Sequence, residues 1–224
     1  MQDLIAQECL EMEVLDRLNS GRFLHRLIFG GGTMLRLCHG LDRFSVDLDF
    51  WLAHPEDASK IFKEMTDYLN RFYDLKDAAD KYYTLLFELS SPTYPRRLKI
   101  EIRKEVQSPL SEQAIAFSPH SFRQVLLRTV SLPAMMSSKI AAFMDRKEIR
   151  DVYDMEFLVK KGITPAADPD VLKEVRRRID LLTKQDYTSK LGSLLAAEKR
   201  SYYVEKNFTI LKASIDRLEE ATAR

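Results

Sequence analysis

Hydrophobic side chains recur along this chain with two different periods, and the change of period divides the sequence into two parts. Residues 3–19 carry apolar side chains at helical spacing, which predicts an amphipathic helix at the N-terminus. From there to about residue 130, short apolar runs and alternating polar and apolar positions predominate, which is typical of β-strands. From Pro133 to the C-terminus the helical spacing returns.

The first part is predicted to be a mixed sheet with a few helices. Strands are expected at 27–29, 44–52, 82–89, 97–105 and near 123–130. Beyond the N-terminal one, helices are expected at 33–38 and 55–72. Thr33 is placed to cap the first of these, because a threonine hydroxyl can accept a hydrogen bond from an early backbone N–H. Residues 107–121 are expected to form a loop, since Pro109 and Pro119 interrupt them.

The second part is predicted to be entirely helical. Helices are expected at 133–146, 150–160, 168–183, 187–197 and 202–221. Gly162 and Pro165 end the second of them. The sequence therefore predicts an α+β fold, with a mixed-sheet core and its N-terminal helix at 1–130 and a helical domain at 131–224.

Two carboxylates stand in the most informative stretch, the DLDF segment at 47–50. Successive side chains of a strand point to opposite faces, so Asp47 and Asp49 share one face while Leu48 and Phe50 enter the core. Like charges held this close repel unless a positive charge lies between them. A hard divalent cation such as Mg²⁺, which prefers oxygen ligands, is the simplest candidate; a solvated strand face is the alternative.

A glycine turn precedes this acidic strand. Gly30, Gly31 and Gly32 can adopt positive φ and let backbone N–H groups approach phosphate oxygens, although a tight turn without a ligand is the alternative. No Gly-Lys-Ser/Thr follows, which excludes a Walker A loop, and the spacing does not match a dinucleotide-binding GxGxxG.

These motifs together resemble the AbiEii/AbiGii toxin family, within the DNA polymerase β-like nucleotidyltransferase superfamily. The resemblance is carried by Gly31-Gly32-Thr33 followed by Arg43, Ser45, Asp47 and Asp49. It implies nucleotidyl transfer from an NTP, with two Mg²⁺ ions held by converging carboxylates. It also implies a third carboxylate on an adjacent strand, which Glu101 in the context Ile100-Glu101-Ile102 would supply. The alternative for Glu101 is a cross-strand partner of Lys99 or Arg103.

The resemblance also implies nucleotide-binding roles near the turn. Gly31, Gly32 and Thr33 would contact phosphates through the backbone and a hydroxyl. Alternation extended backwards from Asp47 places Ser45 and Arg43 on the acidic face. Arg43 would contact the triphosphate or neutralise the acids, and Ser45 would donate a hydrogen bond to Asp47 or, as in some members of the family, be modified.

Within the helical part, Lys-x-x-Ala-x-x-x-Arg followed by Arg-Asp-x-x-Asp again resembles the family. The resemblance implies that Lys139 binds the triphosphate and that Asp151 orients the triphosphate or the lysine. Asp154 is a second candidate for the role of Asp151. The helical domain would thus contribute to the nucleotide site. The alternatives are a solvated lysine and a plain helix cap.

Composition limits the partners and the compartment. The net charge is +1, so a nucleic-acid partner needs a local basic patch rather than a basic chain. Candidate patches are Lys173 with the arginines at 176–178, and Lys199-Arg200 with Tyr202-Tyr203, although solvated helix faces are the simpler interpretation. Two cysteines without Cys-x-x-Cys spacing fit a reducing cytosol. No apolar run is long enough to span a membrane, so a cytoplasmic protein is expected.

The resemblance thus implies a metal-dependent toxin that transfers NMP from an NTP to tRNA or another RNA and is opposed by an antitoxin. Two alternatives stay open: transfer to a small molecule such as an antibiotic, and a non-catalytic module that binds nucleotide or antitoxin.

Overall fold

The computed structural model describes residues 1–55, 57–106 and 111–222. The chain forms two units, the first comprising residues 1–40 and 44–131 and the second comprising 41–43 and 132–224. The segment Leu41–Arg43, which lies four to six residues before Asp47, belongs with the C-terminal helices rather than with the sheet.

The first unit is built on a mixed sheet. Its elements are α1 (Gln2–Ser20), β1 (Leu27–Gly30), α2 (Gly31–His39), β2 (Asp47–Leu52), α3 (Ala58–Leu69), β3 (Asp74–Asp80), β4 (Thr84–Ser90), β5 (Leu98–Arg103), β6 (Ser111–Phe117) and β7 (Gln124–Val130). The strands follow the spatial order β3-β4-β5-β2-β1-β7-β6. The pairs β2–β5 and β1–β7 are parallel and the other neighbours are antiparallel. This mixed sheet with its helices confirms the α+β class.

The alternating sequence of β5 shows why these strands form. Leu98, Ile100 and Ile102 are fully buried on one face, whereas Lys99, Glu101 and Arg103 lie on the other. The same alternation in β2 buries Leu48 and Phe50 behind the two aspartates. Burial of the apolar set fixes the register, because a shift by one residue would turn every side chain to the wrong face.

The predictions for three parts of this unit were wrong. Residues 111–117 of the expected loop form β6, an edge strand paired with β7, while residues 107–110 lie outside the described part of the chain. The strand β3 was not predicted. Thr33 does not cap a helix, because α2 begins at Gly31 with Gly30 at the N-cap position. The N-cap of α3 is Asp57, whose carboxylate accepts hydrogen bonds from the N–H groups of Ser59 and Lys60. Glu56, within the helix expected at 55–72, lies outside the described residues.

From Leu132 onward, the described part of the second unit is mostly helical. It contains α4 (Leu132–Arg146), α5 (Ile149–Lys160), α6 (Pro169–Asp180), a π-helical segment (Asp186–Leu191), a 3-10 turn (Gly192–Leu194), α7 (Ala197–Lys206) and α8 (Thr209–Thr222). The predicted helices at 187–197 and 202–221 were wrong in their bounds. Asn207 and Phe208 have positive φ, which ends α7 before α8 begins. No helix among the described residues is long and apolar enough to cross a membrane.

Candidate active site on the central strands

The sheet register brings the acidic residues into one place. Asp49 on β2 lies directly opposite Glu101 on the parallel strand β5, and Gly30 of β1 lies opposite Asp49 on its other side. Asp47 pairs with Lys99 one step earlier along the same strands. Residues that pair directly across a sheet point to the same face, so the three predicted carboxylates share one face of adjacent strands.

Gly31 allows the chain to turn tightly against this acidic row. Its φ is +74°, and a β-carbon built on it would lie 2.2 Å from Asp49 Oδ2. Glycine alone meets both demands, because any side chain would be strained by the backbone and would overlap the carboxylate. The early N–H groups of α2, which starts here, have no intrahelical partners, as at any helix N-terminus.

Thr33 links α2 to the acidic strand. Its hydroxyl donates a hydrogen bond to the backbone carbonyl oxygen of Asp47 at 2.5 Å, and the residue is fully buried. Thr33 therefore contributes by fixing the position of the strand that carries Asp47, and not by capping.

Lys99 supplies the positive charge beside the acids. Its Nζ lies 3.4 Å from Glu101 Oε2 and 3.9 Å from Asp47 Oδ2. The side chains of Asp47 and Glu101 are each 31% exposed, and that of Lys99 is 41% exposed. Lys99 is thus a partner of Glu101, as the alternative for Glu101 expected, although both residues lie on β5 and the pair is not cross-strand; the carboxylates stay accessible to solvent.

Helix α1 contributes a residue that sequence reasoning missed. The side-chain amide of Gln7 donates to the carbonyl oxygens of Val46 and Arg97, both at 3.3 Å. These residues directly precede β2 and β5, so one buried side chain ties together the starts of both acid-bearing strands. The available signal was a polar residue within the apolar stripe of α1.

Two glutamates of α1 form a buried polar cluster in the same unit. Glu8 is ion-paired with Arg36 of α2 and accepts a 2.5 Å hydrogen bond from the hydroxyl of Ser118. Glu11 is fully buried, and neither of its carboxylate oxygens has a hydrogen-bond partner among the described residues. Burial raises the pKa of Glu11 well above its ordinary value, with further contributions from the charges of Glu8 and Asp47 that outweigh Arg36. The fold therefore disfavours the ionised form of the Glu11 carboxyl.

The predicted residues of the helical part form a buried ion network within the second unit. Asp154 accepts two hydrogen bonds from the Arg43 guanidinium, at 2.6 and 2.7 Å, and lies 2.7 Å from Lys139 Nζ. Lys139 is also 3.4 Å from Asp151, which Arg146 binds through two nitrogens at 2.6 and 2.7 Å. Asp154 is fully buried, which opposes its ionisation, but Arg43 and Lys139 hold its pKa below the usual range.

This network decides between several alternatives. Lys139 is 5% exposed, so it is not a solvated surface lysine. Asp151 lies in the first turn of α5 while Glu148 is at the N-cap position, so Asp151 is not a plain cap.

Arg43 is bound to Asp154 and is 2% exposed. Ser45 is half-buried in the segment before β2. The nucleotide-binding roles assigned to these residues stay predictions.

The basic cluster on α6 is largely neutralised by neighbouring carboxylates. Arg177 and Arg178 both bind Glu174, and these hydrogen bonds lower the pKa of Glu174 to about 2. Arg176 pairs with Asp180 and Asp216. The solvated helix face therefore describes this cluster better than a phosphate-binding patch does.

Comparison with protein families identifies the group to which the chain belongs. The family model described as nucleotidyl transferase AbiEii toxin, type IV toxin–antitoxin system, matches residues 13–221. The chain belongs to this family. Membership of the AbiEii family confirms the predicted class of enzyme, a nucleotidyltransferase, and implies a nucleotide substrate and an antitoxin partner. No curated protein matches the chain significantly.

Solved structures support the fold. The crystal structure of JHP933 from Helicobacter pylori is similar with a TM-score of 0.59 and 19% identity, covering 96% of each chain. A second H. pylori protein, whose structure is described as that of a candidate nucleotidyltransferase, gives a TM-score of 0.58 and 19% identity, covering 94% of this chain and 97% of that one. At this identity the likeness concerns the fold alone.

Proposed function

We propose that this AbiEii-family protein transfers a nucleotidyl group from an NTP to an acceptor, with RNA such as tRNA as the leading candidate, at the carboxylates of Asp47, Asp49 and Glu101. The observation that carries the proposal is the pairing of Asp49 with Glu101 beside Gly31. Nucleotidyl transfer requires carboxylates next to a place where phosphates can be held, and this part of the sheet offers both.

The donor set suits a hard divalent cation. Three carboxylates on adjacent strands provide the oxygen ligands that Mg²⁺ prefers, and the Asp49 carboxylate packs directly against Gly31. As the side chains stand, no three Asp, Glu, His or Cys residues of the described chain converge closely enough to hold a metal. Binding therefore requires Lys99 to leave and the carboxylates to turn toward one another, which their partial exposure permits.

The residues around the acids have separate tasks in this reaction. Bound Mg²⁺ would stabilise the attacking and leaving oxygens of the displacement at phosphorus. The early N–H groups of α2, from Gly31 to Thr33, would bind phosphate oxygens as helix N-termini do. Thr33 and Gln7 hold the acid-bearing strands in register through their hydrogen bonds to backbone carbonyls.

A label-transfer assay tests the proposal. The full chain is incubated with each of the four α-³²P-labelled NTPs, Mg²⁺ and either total tRNA or a mixture of small hydroxyl compounds. The expected result is labelled RNA with the wild type and none with Asp47→Ala or Asp49→Asn. Equal labelling by the wild type and both variants would refute the assignment of the acids.

A further inference from the structure

The face that carries the acids continues beyond them to an exposed arginine. One row farther along the strands, Trp51 of β2 pairs with Arg103 of β5, which pairs with Thr84 of β4. Two residues along a strand span about 7 Å, so Arg103 is one row from Glu101 on the same face. The Arg103 guanidinium lies over the Trp51 ring, 5.1 Å from its centroid, and has no carboxylate partner among the described residues.

Next to this row, the turn between β3 and β4 presents two exposed aromatic rings. Tyr82 is 84% exposed and Tyr83 is 76% exposed, and their rings meet edge to face at 4.5 Å. The N–H of Lys104 donates to the carbonyl oxygen of Tyr83, which attaches the turn to the end of β5. Lys81 in the same turn is exposed and forms no ion pair within the described chain.

Lys104 at this edge is paired with Asp80, whereas Lys81 and Arg103 form no ion pair among the described residues and the rings of Tyr82 and Tyr83 are largely exposed. Solvated tyrosine rings give up the free energy that aromatic burial provides, so their exposure needs a reason outside the core. Aromatic faces beside unpaired cations form the surface that unstacked bases and phosphates recognise. The arginines of α6, by contrast, are already bound to carboxylates.

The geometry points to a binding surface for an unpaired nucleic acid strand, made by Tyr82, Tyr83, Lys81 and Arg103, which directs the end of the strand toward the acidic row. This inference rests on the proposed function, because it makes the bound strand the acceptor. Bases would stack on the tyrosines and phosphates would meet Arg103 and Lys81. A single strand is required, because the bases of a duplex are already stacked on one another.

An RNA-binding measurement tests the surface without catalysis. The probe is a fluorescein-labelled, mixed-sequence single-stranded RNA of about twelve nucleotides, a length within the range that such stacking surfaces cover. Fluorescence anisotropy is measured with the full chain, without NTP or metal. The double variant Tyr82→Ala/Tyr83→Ala should weaken binding about ten-fold or more, since each stacked base contributes substantially. Tyr82→Phe/Tyr83→Phe, which keeps the rings, should bind nearly as the wild type does.

Two further measurements complete the test. Arg103→Gln should weaken binding and reduce its dependence on salt, because one phosphate contact is lost. Phe122→Ala removes a fully exposed ring near the opposite edge of the sheet and should leave binding unchanged. Circular dichroism shows whether each variant is folded. Equal binding by the wild type and the double alanine variant, or no binding by the wild type, would overturn the inference.

Label transfer then separates this inference from the proposed function. Asp47→Ala should bind the RNA normally but transfer nothing. If the wild type transfers no label while RNA binding still depends on the two tyrosines, the proposed function fails and the surface stands. If RNA is labelled equally by the wild type and the double alanine variant at limiting RNA, or if only a small molecule is labelled, the surface is not the acceptor site.

Discussion

Gly31 and Asp49 approach each other so closely that a single methyl group on the glycine would lie 2.2 Å from the carboxylate oxygen Oδ2. The glycine also has a φ of +74°, which side chains rarely tolerate. The turn that begins α2 and the carboxylate of β2 therefore depend on each other. A carboxylate at this place restricts the turn to glycine, because any side chain there would overlap it.

Gly31→Ala should reduce both stability and activity. The substitution combines backbone strain with overlap against Asp49, whereas Gly40→Ala, at φ +79° with nothing within 4 Å, brings backbone strain alone. Strain of this kind costs about 1–2 kcal/mol. Urea unfolding should show a clearly larger loss for Gly31→Ala than for Gly40→Ala, and only the former should abolish label transfer. Equal losses would show that Asp49 can move aside.

Lys99→Gln should increase the apparent affinity of the protein for Mg²⁺. The lysine lies beside Asp47 and Glu101 and competes with any cation that binds them. Without it, less Mg²⁺ should be needed for half-maximal transfer, and Mg²⁺ should raise the melting temperature more than in the wild type. Lys76→Gln, which removes an exposed lysine paired with Asp74, is the control and should change neither value. A higher Mg²⁺ requirement in Lys99→Gln would mean that the lysine assists the site.

Glu11→Gln should stabilise the protein at neutral pH. The pKa of Glu11 is raised in the folded state, so its contribution to stability is complete below the unfolded pKa near 4.5 and is lost as the pH rises toward the folded pKa. Glutamine resembles the protonated acid and has no such loss. The difference in unfolding free energy between variant and wild type should grow above about pH 4.5. Glu112→Gln, on an exposed edge strand, should show no such trend.

Asp154→Asn should destabilise the second unit strongly. The change leaves the buried cations Arg43 and Lys139 without their shared carboxylate, and losses of about 3–5 kcal/mol are typical of such broken pairs. Because the pKa of Asp154 is lowered, its contribution is present above the unfolded pKa near 4 and disappears as the pH falls through the folded pKa. The effect of the variant, measured by urea unfolding, should therefore shrink below about pH 4. Asp170→Asn, at a largely exposed carboxylate, is the control and should have little effect.

The central strands could be predicted because apolar and polar side chains alternate along them. The alternation in β2 and β5 follows from one buried and one open face. The edge strands β3 and β6 gave no such signal. Only Ala116 of β6 is fully buried, and β3 is rich in charged residues, so these strands are defined by backbone pairing with β4 and β7.

The sequence predicts candidate members of the site, whereas their contacts depend on the fold. Alternation placed Asp47, Asp49 and Glu101 on polar faces, whereas the direct pairing of Asp49 with Glu101 depends on strand order. The alternation does not extend back to Arg43, because the strand begins only at Asp47. The Arg43 guanidinium binds the carboxylate of Asp154. The place of Gln7 in the apolar stripe of α1 marks it as a buried polar residue, but the sequence does not reveal that its partners are two backbone carbonyls.

A crystal structure of the full chain with Mn²⁺ and a non-hydrolysable NTP analogue tests the central claim most directly. Anomalous scattering locates Mn²⁺ without assumptions about the ligands. The expected result is a peak within about 2–2.5 Å of carboxylate oxygens from both β2 and β5, as oxygen-coordinated divalent cations require. The analogue's phosphates should lie beside Gly31. A metal and nucleotide bound elsewhere, with Lys99 still paired to Asp47 and Glu101, would contradict the account.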